Sequence, residues 1–327
     1  MSRTVIVIPC YNEEQRFDSD AFACCLRVQP DTSLILVNDG STDGTLAKLE
    51  AFAAAHPGRV QVIDQTPNAG KAEAVRRGML QAMDSGADFA GYWDADLATP
   101  LDAIPEFLEL FLHYPETELV LGSRVALLGR QIERKPLRHY LGRIFATGAS
   151  LVLGVPVYDT QCGAKLIRCN EGTRALFASP FSSRWIFDVE MLARYLQGRV
   201  VPHQIREHPL QRWTDVAGSK VKPIDFVRAF GELIRVKRRY GKDTTFQRVF
   251  RALTGAPMRY IGVGAVGTLA HYVILTVMVS LIGLSPVLGT SVGAVVGALV
   301  NYTLNYHFTF ISQARHSVTL PRFLTVS

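Results

Sequence analysis

The sequence predicts an α/β domain whose mostly parallel sheet is flanked by helices, followed by amphipathic interfacial helices and a transmembrane helical hairpin. Three observations carry this expectation. Strand-like runs alternate with helical patterns over the first part of the chain, the signature of a parallel sheet covered on both faces. Polar residues bunch just after each strand-like run, where ligands bind in such sheets. From Tyr260 to Ile311 the chain holds no Lys, Arg, Asp or Glu.

The elements follow in order. The apolar runs TVIVIP, SLILVND, RVQVID, DFAGYWDAD and ELVLGS read as strands, short and bounded by polar turns. Between them DAFACCLRV, GTLAKLEAFAAAH, GKAEAVRRGMLQAM and AIPEFLELFLHY carry helical patterns. The polar clusters are PCYNEE after the first strand, NDGSTDGT after the second, PNAGK after the third, DAD after the fourth and GSR after the fifth. In a parallel sheet all of these fall on one edge, so together they describe a site. No internal repeat or low-complexity segment interrupts the pattern.

Beyond this region the chain changes character. The net charge of +6 is carried by one stretch, Lys222 to Gly255, where nine basic residues face three acids. Such a patch serves nucleic acid in some proteins. Here it precedes two uncharged stretches, each long enough for a hydrocarbon core that takes about 20 residues. A juxtamembrane basic segment is drawn to anionic lipid and marks the cytosolic side, so the expected partner is a membrane and not nucleic acid. In FVRAFGELIRVKRRY, Phe226, Phe230, Leu233, Ile234 and Val236 sit among cations, as in a helix lying along a membrane surface; a basic amphipathic helix also packs on its own domain. The connector GLSP lacks Lys and Arg, whereas Arg315 and Arg322 follow the second stretch, which puts both ends of the hairpin on the cytosolic face.

An integral protein of a bacterial inner membrane is expected, with a hairpin available for homo-oligomer formation. The start MSRTVIVIPCYNEE has too short an apolar core for a signal peptide, so the first domain should stay in the cytosol. Five cysteines without paired C-x-x-C spacing argue against a zinc site or a disulfide framework. The expected divisions are a catalytic domain at 1–221, a basic juxtamembrane segment at 222–255 and a membrane domain at 256–327.

Asp94 and Asp96 end the fourth strand one residue apart. Side chains at i and i+2 share one face of a strand, so both carboxylates converge on one spot. A capped, solvated turn accounts for a lone pair of this kind. A divalent-cation site does too, because hard cations take carboxylate oxygens and complete their shell with water and phosphate. In VNDGSTDGT, Asp39 and Asp43 suit ribose hydroxyls or base amino groups, and Gly40 and Gly44 permit close approach. Neither a dinucleotide fingerprint nor a P-loop is present. Lys71, at a helix start, is placed to meet an anion with help from the helix dipole, although taken alone it reads as a solvated Lys.

Taken together and in this order, IPCYNEE, VNDGSTDGT, NAGKAEAVRRG, DAD, GSR, DTQCGAKLIR and RWIFDVEML resemble family 2 glycosyltransferases of the GT-A fold, in the branch that makes dolichyl- or polyprenyl-phosphate glucose and mannose. The likeness spans residues 3 to 240. Residues 255 to 327 are similar to the first half of GtrA-like membrane domains, with two of the usual four spans, and LPRFLTVS reads as the approach to a third. The resemblance implies that Pro9, Tyr11, Glu13 and Asp39 hold the nucleotide base and ribose of a nucleotide diphosphate sugar. It implies that Asp94 and Asp96 bind a metal, Mg²⁺ or Mn²⁺, and through it the diphosphate. This chain departs from the family pattern at Asn38, where Asp is frequent, and at Leu97 and Ala98, where Gln-like residues follow the second acid; water would complete the metal shell.

The acceptor the resemblance implies is a polyprenyl phosphate lipid. A phosphate monoester loses its second proton near ~6, so it attacks an anomeric carbon without a base. It needs cations to hold two phosphates together. Arg124, Arg138 and Arg143 are candidates, with Arg212 and Lys220 from QRWTDVAGSK, and each taken singly also reads as surface. Asp159, Gln161 and Asp188 are placed to orient sugar hydroxyls or to cap turns. Asp96, Asp188 and Arg124 form the expected catalytic set, with Pro9, Tyr11, Glu13, Asp39, Lys71 and Asp94 on the donor. The expected reaction moves a hexose from UDP-glucose, or in the alternative from GDP-mannose, to the lipid phosphate with inversion. A processive polysaccharide synthase would want Q-x-x-R-W, and Pro209 stands where the Gln belongs. A lipid-linked-sugar carrier would use the hairpin without needing the DAD cluster.

Overall fold

The computed structural model describes residues 2–133, 136–197, 202–214, 223–241, 256–309 and 319. The chain divides into two compact units, Met1–Lys242 and Asp243–Ser327.

In the first unit β1 (Thr4–Cys10), β2 (Thr32–Asn38), β3 (Val60–Asp64) and β4 (Phe89–Trp93) alternate with α1 (Ser19–Val28), α2 (Thr45–Ala55) and α3 (Lys71–Asp84). Then come α4 (Ala103–His113) and β5 (Leu119–Ser123), so each run read from the sequence is an element of the expected type. β1 and β2 are buried almost throughout because helices cover both faces of the sheet, which is why their sequences show no polar alternation. α1 starts where the Asp18 carboxylate accepts the Ala21 N–H at 3.0 Å. α3 starts at Gly70, whose φ of 93° lies in the left-handed region that favours glycine.

After β5 the chain runs through β6 (Gln131–Glu133), α5 (Pro136–Leu153), β7 (Ala164–Arg168), α6 (Glu171–Arg174), α7 (Phe187–Leu196), β8 (Ile205–Pro209), β9 (Arg212–Thr214) and α8 (Pro223–Tyr240). The main sheet has the order β3-β2-β1-β4-β7-β5-β8, and β6 and β9 pair separately. All neighbours in the main sheet are parallel except β7, which runs antiparallel between β4 and β5. An antiparallel strand begins at the edge where its neighbours end. β7 therefore delivers its leading residues, 159–163, to the edge that carries the polar clusters.

One face of the sheet packs Ile6, Ile8, Leu34 and Leu36 against Phe22, Phe52 and Phe107 from α1, α2 and α4. The other packs Val5, Val7 and Ile35 against Val75, Met79 and Met191 from α3 and α7. A third core joins α5, α7 and α8 through Phe145, Ala149, Val189, Ala193, Ala229, Leu233 and Val236. Leu233 and Val236, read from sequence as entering a lipid headgroup layer, are buried in this core; Phe230 and Ile234, on the same helix, are exposed. The helix thus spends one apolar stripe on its own domain. The five cysteines form no disulfide, and Cys10, Cys25 and Cys162 are buried. Burial pushes the Cys25 thiol up to about 11.

Among its described residues the second unit holds two long apolar helices, Ala256–Thr276 and Pro286–Leu304, with candidate spans at Gly262–Ser280 and Pro286–His307. Ser285 caps the second helix and Pro286 opens it. The helices meet through glycines. A Cβ on Gly297 would lie 2.9 Å from the Gly267 carbonyl, and one on Gly293 would lie 2.8 Å from that of His271, so only glycine allows this approach.

Candidate active site

A cavity of about 620 Å³ lies within the first unit, lined by residues that follow β1, β2, β3, β4 and β5 and by those that lead into β7. The register explains the convergence. Cys10 pairs with Asn38 and Asn38 with Asp64, so β1, β2 and β3 end level with one another.

Asp94 and Asp96 both line the cavity. Their turn is held by the Asp94 N–H on the Gly163 carbonyl at 3.1 Å and the Leu97 N–H on the Asp94 carbonyl at 3.2 Å. Leu97 sits at φ 52°, a strained conformation for a residue with a Cβ and branched side chain, directly after the second acid. The Asp94 carboxylate rests on Gly163, where a Cβ would fall 2.0 Å from its Oδ2. Burial, and after it the Asp94 charge, raises the pKa of Asp96. Lys71 Nζ stands 2.5 Å from Asp94 Oδ1. Although desolvation works the other way, the charges of Asp94, Asp188 and Asp96 hold the Lys71 ammonium above its ordinary pKa.

Pro9 near the end of β1 and Tyr11 and Glu13 just after it line the cavity, with Glu13 paired to Arg16 at 2.5 Å. Asp39 lines it too, but its carboxylate is occupied. Oδ1 accepts Gln65 Nε2 at 2.6 Å and the Ala69 N–H at 2.8 Å; Oδ2 accepts Asn68 Nδ2 at 3.0 Å and the Gly70 N–H at 2.9 Å. Four bonds use the acceptor sites a carboxylate has. Asp39 therefore builds the turn that presents Lys71 while standing on the cavity wall. Asn38, the departure at the neighbouring position, donates its Nδ2 to Asp64 Oδ1 at 2.7 Å. An Asp there would set two carboxylates together without a proton between them.

Arg124 and Asp159 form a bidentate pair at 2.6 and 2.8 Å, and the Asp159 carboxylate also accepts the Arg124 and Gln161 backbone N–H groups at 3.1 Å. The Arg124 cation and the Asp159 anion thus enter the cavity as a neutral unit, whereas each was expected to meet substrate separately. Asp188 is also engaged. Its Oδ1 accepts the Tyr92 hydroxyl at 2.5 Å and stands 2.6 Å from Lys165 Nζ, a side chain with no solvent exposure. Arg143 lines the cavity, donates to the Tyr158 carbonyl at 2.8 Å and lies over the Tyr158 ring at 3.8 Å.

Comparison with known proteins decides the family. Residues 5–170 match the Glycosyl transferase family 2, and residues 259–327 match the GtrA/DPMS transmembrane domain. The chain is 31% identical over 245 residues to a dolichyl-phosphate beta-glucosyltransferase of Trichomonas vaginalis, covering 71% of this chain and 70% of that protein. The chain belongs to glycosyl transferase family 2. This glycosyltransferase is also 28% identical over 199 residues to a polyprenol monophosphomannose synthase of Mycolicibacterium smegmatis, covering 59% of this chain and 71% of that one. Among solved structures, glucosyl-3-phosphoglycerate synthase from Mycobacterium tuberculosis in complex with Mn²⁺, uridine diphosphate and glucosyl-3-phosphoglycerate shares the fold, with TM-score 0.54 and 18% identity over 75% of this chain and 82% of that one.

Within the glycosyltransferase the structure gathers Pro9, Tyr11, Glu13, Asp39, Lys71, Asp94, Asp96, Arg124, Arg143, Asp159, Gln161 and Asp188 around one cavity. Arg212 is not among the lining residues; it pairs with Asp102 at the surface. Lys220 lies outside the described residues, as does the side chain of Arg138. Sequence reasoning missed Arg16, Arg184 and Trp185 on the cavity wall and Lys165 beneath Asp188. Arg184 and Trp185 stood in the quoted motif RWIFDVEML and were findable there. Lys165 was not, because a Lys inside a strand reads as solvent-facing.

Proposed function

We propose that the chain transfers a hexose, glucose from UDP-glucose, to a polyprenyl phosphate at the cytosolic membrane face, with a divalent cation at Asp94 and Asp96. The single observation that carries the reading is the character of the cavity. Its lining combines Asp94, Asp96 and Lys71 with an apolar and aromatic group, Phe145, Ala146, Trp185, Ile186 and Ala229, and with Arg143 and Arg184. A donor diphosphate suits the acids with their cation, and a phosphate carried on a hydrocarbon chain suits the arginines beside apolar side chains. The beta-glucosyltransferase relatives support glucose as the sugar, and the transmembrane domain supports a lipid acceptor.

The residues fit a cation. Two carboxylates on one turn provide a partial oxygen shell, and among the described residues no third His, Cys, Asp or Glu completes a cage. Such an open site takes its remaining oxygens from diphosphate and water, as Mg²⁺ or Mn²⁺ does. When bound, the cation would offset charge on the departing diphosphate. The chain's own groups do the rest. Lys71 and the start of α3 face the donor phosphates, Arg143 and Arg184 face the acceptor phosphate, and the Arg124–Asp159 and Lys165–Asp188 pairs fix the floor. An acceptor phosphate oxygen attacks the anomeric carbon while the bond to the diphosphate oxygen breaks. UDP leaves with that electron pair, and the configuration inverts once. Asp188, held by Lys165 and Tyr92, orients the sugar; the phosphate nucleophile needs no base.

The deciding assay uses membranes containing the protein, polyprenyl phosphate and a panel of radiolabelled nucleotide sugars. Label from UDP-glucose should enter the organic phase. Label from GDP-mannose alone would assign the enzyme to the mannosyl reading, and none from any donor would reject lipid-phosphate transfer.

A further inference from the structure

We propose that Lys71 is an exchangeable counter-ion. Before ligands bind, its ammonium takes the cation's place at Asp94, and on loading it passes to the donor's diphosphate, so that cation and nucleotide bind as a coupled pair. The inference rests on the reading that Asp94 and Asp96 hold the cation.

Of the two partners in the pair, Lys71 is the better able to move. The Asp94 carboxylate is seated against Gly163, with space for no Cβ beneath it, and its own N–H is tied to the Gly163 carbonyl. The backbone that presents Lys71 is equally fixed, since Asp39 accepts both the Ala69 and the Gly70 N–H groups just before it. Lys71 has the longer and more exposed of the two side chains. Its side chain is 43% exposed, and beside it an added Cβ on Gly70 would meet nothing within 4 Å. A flexible stem ending in a compact charge can leave one anion for another nearby.

The charges then dictate the coupling. Lys71, Asp94 and Asp96 together carry one net negative charge. A diphosphate arriving alone meets that charge. A divalent cation arriving alone must displace an ammonium held at 2.5 Å. When both arrive, the cation replaces Lys71 at Asp94, and the released ammonium finds the phosphates, beside the start of α3, where backbone N–H groups favour anions. Each ligand removes the obstacle to the other. By linkage, the factor by which UDP tightens Mn²⁺ binding equals that by which Mn²⁺ tightens UDP binding.

The test titrates the full-length protein in detergent with Mn²⁺, reading free Mn²⁺ by electron paramagnetic resonance, with and without saturating UDP. Wild type, Lys71→Gln, Lys71→Arg and Asp96→Ala are compared. In Lys71→Gln the competitor is gone, so Mn²⁺ alone should bind about fivefold tighter or more, while UDP in the presence of Mn²⁺ should bind about tenfold weaker. Lys71→Arg keeps the charge and should stay near wild type for Mn²⁺ alone. A merely structural Lys71 would not strengthen any binding step. If Lys71→Gln binds Mn²⁺ alone no more tightly than wild type while Asp96→Ala loses Mn²⁺, the exchange is wrong and the cation site stands. If Mn²⁺ binds none of the proteins even with UDP, the cation reading fails and the exchange fails with it.

Discussion

Gly163 shows how much of this site turns on one missing side chain. Its residue leads into β7, and the open space above it is where the Asp94 carboxylate lies. Gly163→Ala should displace that carboxylate by about an ångström or more. Transfer should fall about a hundredfold, the usual cost of such a misplacement, while Tm changes little; wild-type kcat/KM in this variant would refute the geometry. Glu190 acts at the same scale but through stability. Fully buried on α7, it accepts Ser182 Oγ and the Ser183 N–H at 2.8 Å, Arg194 at 3.0 Å and the Tyr240 hydroxyl at 3.1 Å. Burial opposes its ionisation, but the bonds from Ser182, Ser183 and Arg194 hold its pKa below the ordinary value. A depressed folded pKa gives stability that is present above the ordinary carboxylate range and is lost as pH falls through the folded value. Glu190→Gln should therefore lower Tm by several degrees at neutral pH, with the gap to wild type closing below about pH 4. A gap that stays constant across that range would show that the charge contributes nothing.

At the scale of the element, α8 has two exposed or buried stripes with separate tasks. Ala229, Leu233 and Val236 close the third core, and Glu232 accepts the Trp185 and Ile186 N–H groups at 3.2 Å, which sets the cavity-lining stretch 184–186. The outward side carries Phe230, Ile234, Arg235, Lys237, Arg238 and Arg239. Apolar groups among cations suit a headgroup layer, each basic residue adding about 1 kcal/mol at an anionic surface before screening. Changing Arg235, Lys237, Arg238 and Arg239 together to Gln should weaken binding of the 1–242 unit to anionic vesicles, and most at low salt. Equal binding to neutral and anionic vesicles before and after the change would make this side an ordinary solvated face. The part of the helix legible from sequence was its amphipathic pattern; which apolar residues belonged to which stripe was not, because the core that takes Leu233 and Val236 is built from α5 and α7.

For the whole molecule, the reading requires a divalent cation and a single inversion. Chelator should abolish transfer by the full-length enzyme, Mg²⁺ or Mn²⁺ should restore it, and an α-linked donor should give a β-linked lipid phosphate sugar by NMR. Full activity in excess chelator would remove the cation, and an α-linked product would remove direct displacement by the phosphate.

The alternating elements, the edge on which the polar clusters meet, the acid pair at 94 and 96 and the two apolar spans are legible along the chain. These are local properties: periodicity, turn residues and the spacing of carboxylates are written along the chain. Tertiary structure alone decided what the charged groups do. Asp39 builds a turn, Arg124 and Asp159 neutralise each other, Arg212 faces Asp102, and Lys165 is buried under Asp188. A charge in a sequence has no partner until folding supplies one, and inside a protein an ionised group is stable only with such a partner. The antiparallel β7 makes the point in one strand: it carries Lys165 inward and sets Asp159, Gln161 and Gly163 on the rim where the parallel strands end.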